Sequence, residues 1–581
     1  MPSWPYAALG LWVLVADAWF HGPLIGRWIG PQAAGPLLIA LLALGVWAIQ
    51  SRRGGGASAT ADDPIIDHSR GRFLIAVAVI ALLATLVRLP ALGAPASLIS
   101  SDSAVAGIIA QELAAGQRPA PIYAPGFPYE GTLKPHLTAF LSWMIPAGVP
   151  AVYAWTSHLF HLLWLVAVMV LARHAAGLVA GVAAGLFMAI SPRFLVAFSL
   201  NNVGQYPEVN ALGALALVAL GTRGALLATG FLLGLAVWQQ LLAVYFVATA
   251  AALVLATPTL RHPRGIAQCV VGFLCGSYPM WVWNAANGWA TFDLFRRGSK
   301  QPVDRIAGLP DRLERTLSVS FPKLFGLTDL GTGAEIAVVL GAILPLLVLV
   351  MAVASRGDIK ARRGRSPALI VVVLFVVVLS VFAASKFSHR GAQRPRYLMP
   401  LYTSTAVAFG WTVARLAGRS RAGASLAAVA VLGANLVGLV PWLQGRREAE
   451  ARDRAILSEL DRIHVRTGYA GFWVAPKYTF LAGGKVVLSG ELGPIVSWVH
   501  PGHAATVREQ GPDAYLVDQG SLAAAFESRL RELACAHRRT DVGGLAIFHE
   551  LCRRVTLEEV AGYDLALAEP REPSDPAENE P

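Results

Sequence analysis

Apolar runs of about 18 to 23 residues recur along nearly the whole of this 581-residue chain, and a soluble core does not absorb so many of them. A hydrocarbon layer about 30 Å thick is crossed by about 20 apolar residues in a helix. Inside lipid each segment must satisfy its own backbone hydrogen bonds, so helix is the expected state of every run. Candidate spans cover residues 6–28, 34–50, 72–90, 151–173, 176–194, 207–222, 225–239, 240–257, 265–285, 335–354, 367–385, 397–416 and 422–443. Composition agrees: 55% of the chain is hydrophobic and 14% charged, where soluble proteins carry about 25% charge. The expected fold class is a polytopic α-helical membrane protein with about 11–13 transmembrane helices and a small C-terminal α/β domain. The opening MPSWPYAALGLWVLVADAWF lacks the basic start of a cleaved signal peptide and reads as a retained helix.

The net charge of +12 sits in loops between apolar runs rather than along one polar face. That pattern signals membrane topology and contact with lipid headgroups or phosphate, not nucleic acid. One set of connections is short and basic: Arg52, Arg53, Arg70 and Arg72, then Arg173, Arg223, Arg261 and Arg264, then 356–365, then Arg415, Arg419 and Arg421. The positive-inside rule makes this set cytoplasmic. The longer set, 91–150, 195–206, 286–334, 386–396 and everything after 445, then faces outward. One outer loop breaks the rule. KFSHRGAQRPRYLMP crowds Lys386, Arg390, Arg394 and Arg396 into 11 positions. Long outer loops escape the rule as solvated chain, but this loop is short. Its cations suit an anionic ligand such as a lipid phosphate.

The linker SRRGGGASATADDP reads as flexible and sets the first two spans apart from the rest. GLVAGVAAG, GFLLG and GFLCG repeat a small-xxx-small spacing that suits close helix packing. Beyond Arg446 an amphipathic helix precedes the strand-like runs YAGFWVA, KVVLSG, DAYLVD and GLAIFHEL. A helical SLAAAFESRLRELA separates the last two runs, as in a small α/β domain. No glycine-rich nucleotide motif occurs in it. Cys269 and Cys275 lie in an apolar run, whereas Cys535 and Cys552 pair only if the tail meets an oxidising compartment.

The outer loop after the span ending near Leu92 begins SLISSDSAVAGIIAQELAAGQ. Val105, Ile108, Ile109 and Leu113 fall at helical spacing, so a surface helix is expected, with Asp102 as its cap or as a reactive carboxylate. The same loop carries Glu130, Lys134 and His136, a mixture that simple anchoring does not need. After the span near 176–194, Asn201, Asn202, Gln205, Tyr206 and Glu208 form a polar group that suits either a sugar pocket or an ordinary capped loop. Gln239 and Gln240 suit either an intramembrane site or a reversal at the interface. His158 and His161, three positions apart, read as packing, and no metal cage is evident.

In order along the chain, SDSAVAGIIAQELAAGQ, YEGTLKPHL, SPRFLVAFSLNNVGQYPEV, GLAVWQQLLAVYF, YPMWVWNAANGWATF and RPRYLMPLY resemble the GT-C polyprenyl-phosphate-sugar glycosyltransferases. That superfamily includes protein O-mannosyltransferases and lipid A aminoarabinose transferases. The resemblance runs from about residue 72 to 550. Two departures stand out: Asp102-Ser103 replaces the frequent Asp-Glu, and Leu133-Lys134-Pro135-His136 replaces Glu-Lys-Pro-Pro. The resemblance implies an inverting sugar transfer at the outer membrane face. Asp102 would be the general base, with Lys134, Arg390, Arg394 and Arg396 on the donor phosphate. Glu130, His136, Asn202, Gln205, Tyr206 and Glu208 would line a sugar or acceptor pocket. Donor and membrane lipids are the implied partners; a divalent metal is compatible with the family, and no other cofactor is implied.

The resulting partition is 1–50, two extra membrane helices; 51–71, a cytoplasmic linker; 72–444, the catalytic membrane domain with outer loop 91–150; 445–568, an extracytoplasmic α/β domain; 569–581, a disordered tail. The expected location is the cell's inner (plasma) membrane, multi-pass, with the active site outside. Two other readings remain: a transporter or flippase of a lipid-linked sugar, and a non-catalytic scaffold. A transporter would be expected to show inverted repeats or charges at mid-membrane depth, and the charges here sit at span ends.

Overall fold

The computed structural model describes residues 8–13, 16, 65–117, 121–201, 203–223, 225–258, 260–297, 308–331, 334–361, 366–388, 394–492 and 500–560. Most of the two N-terminal spans, the linker up to residue 64 and the tail beyond 560 lie outside the described residues. Of the N-terminal segment, Trp12 packs edge-on against Phe231 and donates its indole N–H to Cys275 O at 2.9 Å.

In chain order, α1 is Ile65–Leu92, α2 Ser101–Ala114, α3 Leu133–Met144 and α4 Val149–Ala189. Then come α5 Tyr206–Arg223, α6 Leu226–Gln239, α7 Val244–Ala256, α8 Pro263–Gly276, α9 Tyr278–Ala286, α10 Ala334–Ala354, α11 Pro367–Ala384 and α12 Leu401–Ala417. The helix α1 already begins inside the 51–71 stretch expected as linker. Among the described residues, four helices are long and apolar enough to cross a membrane, or five when α8 and α9, bent by 61°, count as one. Several other expected spans are shorter apolar helices, including Tyr206–Gly221 and Leu226–Gln239. Gln239 and Gln240 break the chain between α6 and α7. Gln240 accepts from Leu242 N at 2.9 Å, and Gln239 accepts from Leu133 N at 3.2 Å, so both act at a reversal.

The two spans expected at 151–173 and 176–194 are the two halves of α4, separated by a kink at Ala176 and Gly177, where the backbone is not helical. Gly177 has φ +81° and nothing near its missing Cβ, so it makes the bend rather than a close contact. The α6/α8 pair uses its glycines as expected. A Cβ on Gly230 would lie 1.9 Å from Cys269 O, on Gly234 2.2 Å from Phe273 O, and on Gly276 2.2 Å from Phe231 O. Such backbone-to-backbone approach gives dispersion contact that lipid cannot match.

The sequence places a boundary near 444, but the helix does not stop there. α13, Arg421–Arg462, runs unbroken for 42 residues, about 63 Å at 1.5 Å per residue. Its middle clamps the chain that leads out of α1: Arg446 donates to Ser97 O at 3.1 Å, and Glu450 accepts from Ser97 N at 3.1 Å.

Beyond α13 a five-stranded sheet forms from β3 Thr467–Ala470, β4 Val487–Ser489, β5 Ala514–Asp518, β6 Arg538–Val542 and β7 Leu545–His549, after a short hairpin of β1 Tyr123–Ala124 and β2 Phe127–Gly131 far earlier. The strand order is β4-β3-β5-β7-β6, parallel on the β4/β3/β5 side and antiparallel through β7 to β6. The helices α14 Ala475–Leu481, α15 Pro501–Gln510 and α16 Ser521–Glu532 connect the strands. The GFWVA half of the first strand-like run leaves the sheet for a turn and α14. The strand β6 was not anticipated: Arg538-Arg539-Thr540-Asp541 is polar because it is an exposed edge, where charge also discourages stray pairing. Cys535 is buried and Cys552 exposed, both free thiols side by side.

Replacing Gly276 by Val forces α6 and α8 apart. The expected cost is about 1–3 kcal/mol, the overpacking range, read as a lower thermal midpoint of the detergent-solubilised protein; an unchanged midpoint would contradict the close packing.

Candidate functional site

The helix that carries Asp102 is not the lipid-surface helix expected from its apolar stripe. Ten of the fourteen residues of α2 are buried. Ala104, Ala106, Ile108 and Ala110 pack in one cluster with Tyr153 of α4 and Phe480 of α14. A Cβ on Gly107 would lie 2.6 Å from the Phe480 ring. Gln111 reinforces the contact, donating to Phe480 O at 2.6 Å. Small residues therefore let the C-terminal domain seat directly on the helix, a use that periodicity alone does not reveal.

The cap of α2 is Ser100, not Asp102. Ser100 Oγ accepts from Ser103 N at 3.3 Å, and Ser103 Oγ accepts from Ser100 N at 2.8 Å, a reciprocal capping box. Ser103, the departure from the familiar acidic pair, completes this box. Asp102 is left in the first turn, where the positive helix end favours a carboxylate, and it makes no hydrogen bond to another described residue. Burial pushes its carboxyl above the usual range, while the guanidinium groups of Arg396 and Arg394 pull it back down. Asp102 thus lies within electrostatic reach of two arginines almost 300 positions away in the chain.

Arg394 and Arg396 flank Pro395 at the start of a short turn, Pro395–Leu398, that leads into α12. Arg396 lies 5.6 Å from the Tyr397 ring centroid. Its buried Nε has no hydrogen-bond partner among the described residues. Tyr397 stacks on Phe387 with centroids 4.1 Å apart and meets Tyr206 edge-on at 6.3 Å. A buried guanidinium N–H without a partner is a costly group that an anion could satisfy.

The β1/β2 hairpin supplies the next acid. Its turn uses Gly126 at φ +82°, and its end is held by α6, with Trp238 donating to Ile122 O at 3.2 Å. A Cβ on Gly131 would lie 2.5 Å from Trp238 O, so only glycine permits this seat. Glu130 lines the chamber. Loss of water, then the charge of Asp102, push its carboxyl up to about 8, with Arg396 opposing. Near neutral pH Glu130 therefore holds its proton. Tyr129 faces the same group of charges, and burial raises its phenol further.

Lys134 occupies an adjoining buried pocket. Its ammonium donates to Ser157 Oγ, lies 3.6 Å from the Tyr153 ring centroid and faces Glu208. Burial holds its pKa well below the usual lysine range, with Glu208 acting against that. Both carboxylate oxygens of Glu208 are buried without a hydrogen-bond partner among the described residues. Gln205 is buried with a positive φ of 58° and an unpartnered Oε1, and Tyr206 links this region to Tyr397. His136 turns inward on α3, its Nδ1 2.5 Å from Thr132 O. The structure thus groups Asp102, Glu130, Tyr206, Arg394 and Arg396, and sets Lys134 with Glu208 beside them. Asn202 and Arg390 lie outside the described residues. Tyr129 and Tyr397 were missed by sequence reasoning; their adjacency to Glu130 and Arg396 was the available signal. His158 and His161 stack at 6.1 Å within α4, and His158 Nε2 lies 2.9 Å from Thr85 Oγ1, a packing role as expected.

No family model and no curated protein matches the sequence. Among solved structures, ArnT from Cupriavidus metallidurans bound to undecaprenyl phosphate is similar with a TM-score of 0.53, at 16% identity, over 84% of this chain and 99% of that one. The same protein in its apo state gives a TM-score of 0.52, at 14% identity, over 83% and 98% of the two chains. An oligosaccharyltransferase from Archaeoglobus fulgidus, in complex with zinc and sulfate, is similar at a TM-score of 0.47 and 12% identity, over 82% of this chain and 73% of that one. The likeness to ArnT is one of fold: apolar helices long enough to cross a membrane, followed by a sheet-containing C-terminal domain.

Raising the pH through about 8 ionises Glu130 and places a second negative charge beside Asp102. Binding of inorganic phosphate beside the Arg394/Arg396 pair is expected to weaken over that window. Glu130→Gln, which keeps the neutral shape, is expected to abolish this alkaline loss in a pH series of phosphate binding.

Proposed function

We propose that this protein is a membrane glycosyltransferase that moves a sugar from a polyprenyl-phosphate donor to an acceptor hydroxyl at the extracytoplasmic face. One observation carries the reading. Asp102, which is not the cap of its helix, lies within electrostatic reach of Arg394 and Arg396, two guanidinium groups from the far end of the membrane region. The ArnT fold match, in a structure holding undecaprenyl phosphate, supports a lipid phosphate as the ligand class.

A neutral alcohol is a poor nucleophile, so transfer calls for a base at the acceptor oxygen. Asp102 fills that role: burial raises its pKa and so makes it a stronger base, while Arg396 and Arg394 favour its charged form. As the sugar C1–O bond breaks, the electron pair leaves with the lipid phosphate. Arg396, aided by Arg394, meets that growing charge with N–H donors already oriented, which needs no reorganisation during the step. Attack on the face opposite the phosphate inverts C1, and the acceptor's proton ends on Asp102. Arg390 belongs to the same loop and is proposed to join the phosphate site; Lys134 and Glu208, with Gln205, Tyr206, His136 and Asn202, are proposed to bound the sugar or acceptor pocket. The inner (plasma) membrane, with the chamber outward, follows from the basic short loops.

Asp102→Asn is expected to lower transfer by about 10²–10⁴-fold, the range for a removed general base, with normal insertion and folding. Mass analysis of cell-envelope glycans and lipid-linked sugars reads it: product should vanish and donor accumulate. Near-normal product in cells carrying this allele removes Asp102 as the base. Arg396→Ala is expected to weaken binding of undecaprenyl phosphate by the purified protein and to cut turnover about 10²–10³-fold.

A further inference from the structure

Away from the chamber, one group of side chains has the makeup of a transition-metal site, and no step above uses it. Glu112, His500 and His503 each offer one ligand atom, and the three atoms lie within 4.8 Å of one another. Glu112 is in the last turn of α2; His500 and His503 are at the start of α15 in the C-terminal domain. His500 Nε2 is 3.1 Å from Glu112 Oε1, and the two imidazoles stack with centroids 4.0 Å apart and planes 27° apart.

We propose that Glu112, His500 and His503 bind one divalent transition-metal ion, and that this ion ties the C-terminal domain to the helix bearing Asp102. Two nitrogens and one carboxylate oxygen are a zinc-type donor set, with a fourth, tetrahedral position open to water. An ion pair with Glu112 needs one imidazole only. The second ring, stacked so closely, is repelled when both are protonated, and the cation supplies the charge that lets both rings and the carboxylate converge. The negative end of α2 favours a cation at Glu112, while the positive end of α15 opposes it. The ion takes the place of the proton between His500 Nε2 and Glu112; that proton shifts to Nδ1 of the neutral ring, so the long 3.3 Å cap bond from His503 N is given up.

Ten residues of helix separate Glu112 from Asp102, about 15 Å at 1.5 Å per residue. The ion therefore touches no reacting atom. It adds a third tie to the Gly107–Phe480 and Gln111–Phe480 contacts and holds α2 in place. These ligands act as positioning residues.

The test uses the full chain in detergent, free of any histidine tag, stripped with chelator and titrated separately with zinc and with cobalt. Elemental analysis should give one zinc per chain, cobalt should show the visible bands of a four-coordinate site, and zinc should raise the thermal midpoint. Glu112→Gln and His503→Ala should each weaken zinc binding at least about tenfold, since even outer-sphere losses cost 10–100-fold, and should abolish the midpoint rise. Glu112→Gln retains a hydrogen-bonding partner for His500, and gel filtration checks that it stays folded. Wild-type zinc affinity in Glu112→Gln, zinc retained by the double variant His500→Ala/His503→Ala, or no zinc on the wild-type chain would each overturn the proposal. Metal content is measured without any transfer assay, so these outcomes are separate from the fate of the transferase reading.

Discussion

A carboxylate survives in a water-poor chamber only when cationic charge sits close enough to replace the lost hydration. The pairing of Asp102 with Arg394 and Arg396 meets that condition, and much of the architecture serves to maintain it. The acid comes from a helix that follows the first described span; the arginines come from a turn that opens a late one. Neither element holds itself in place. The capping box at Ser100 fixes the entry to α2 without using Asp102, and α13 grips Ser97 just upstream through Arg446 and Glu450. On the opposite wall, aromatic contacts among Phe387, Tyr397 and Tyr206 brace Arg396.

Small residues do much of the remaining positioning. Gly107 admits Phe480, Gly131 admits the end of α6, and the glycines of α6 and α8 bring two backbones into contact. In a membrane, where lipid competes equally for apolar side chains, such approach is a main source of helix association. It explains why helices too short to span lipid alone, such as α6 and α7, still have fixed places. Glu130, raised to about 8 by burial and by the charge of Asp102, then makes the local charge adjustable just above neutral pH.

Much of this was legible from residues alone, and the failures have identifiable causes. The helical membrane class, the glycine packing of α6 and α8 and the α/β character of the tail follow from hydrophobic period and small-residue spacing. The burial of α2 was missed because alanine and glycine read as neutral, although they are what close packing needs. The unbroken α13 was missed because a change from apolar to charged sequence marks a change of surroundings, not a helix end. The edge strand β6 was missed because an exposed strand carries no apolar alternation. The Glu112–His500–His503 group joins residues almost 400 positions apart in the chain, and no local pattern announces it.

The sequence by itself determined that the chain is a bundle of membrane helices with a folded tail, because hydrocarbon dictates segment length and internal hydrogen bonding. It also singled out Asp102 and the crowded arginines as charges out of place. Only the tertiary structure decided that these charges face each other, that Ser100 rather than Asp102 caps the helix, and that the tail domain bears directly on α2. The physical reason is one of range. Periodicity and charge bias act over a few neighbouring residues, whereas an electrostatic chamber is made by groups whose separation along the chain says nothing about their separation in space.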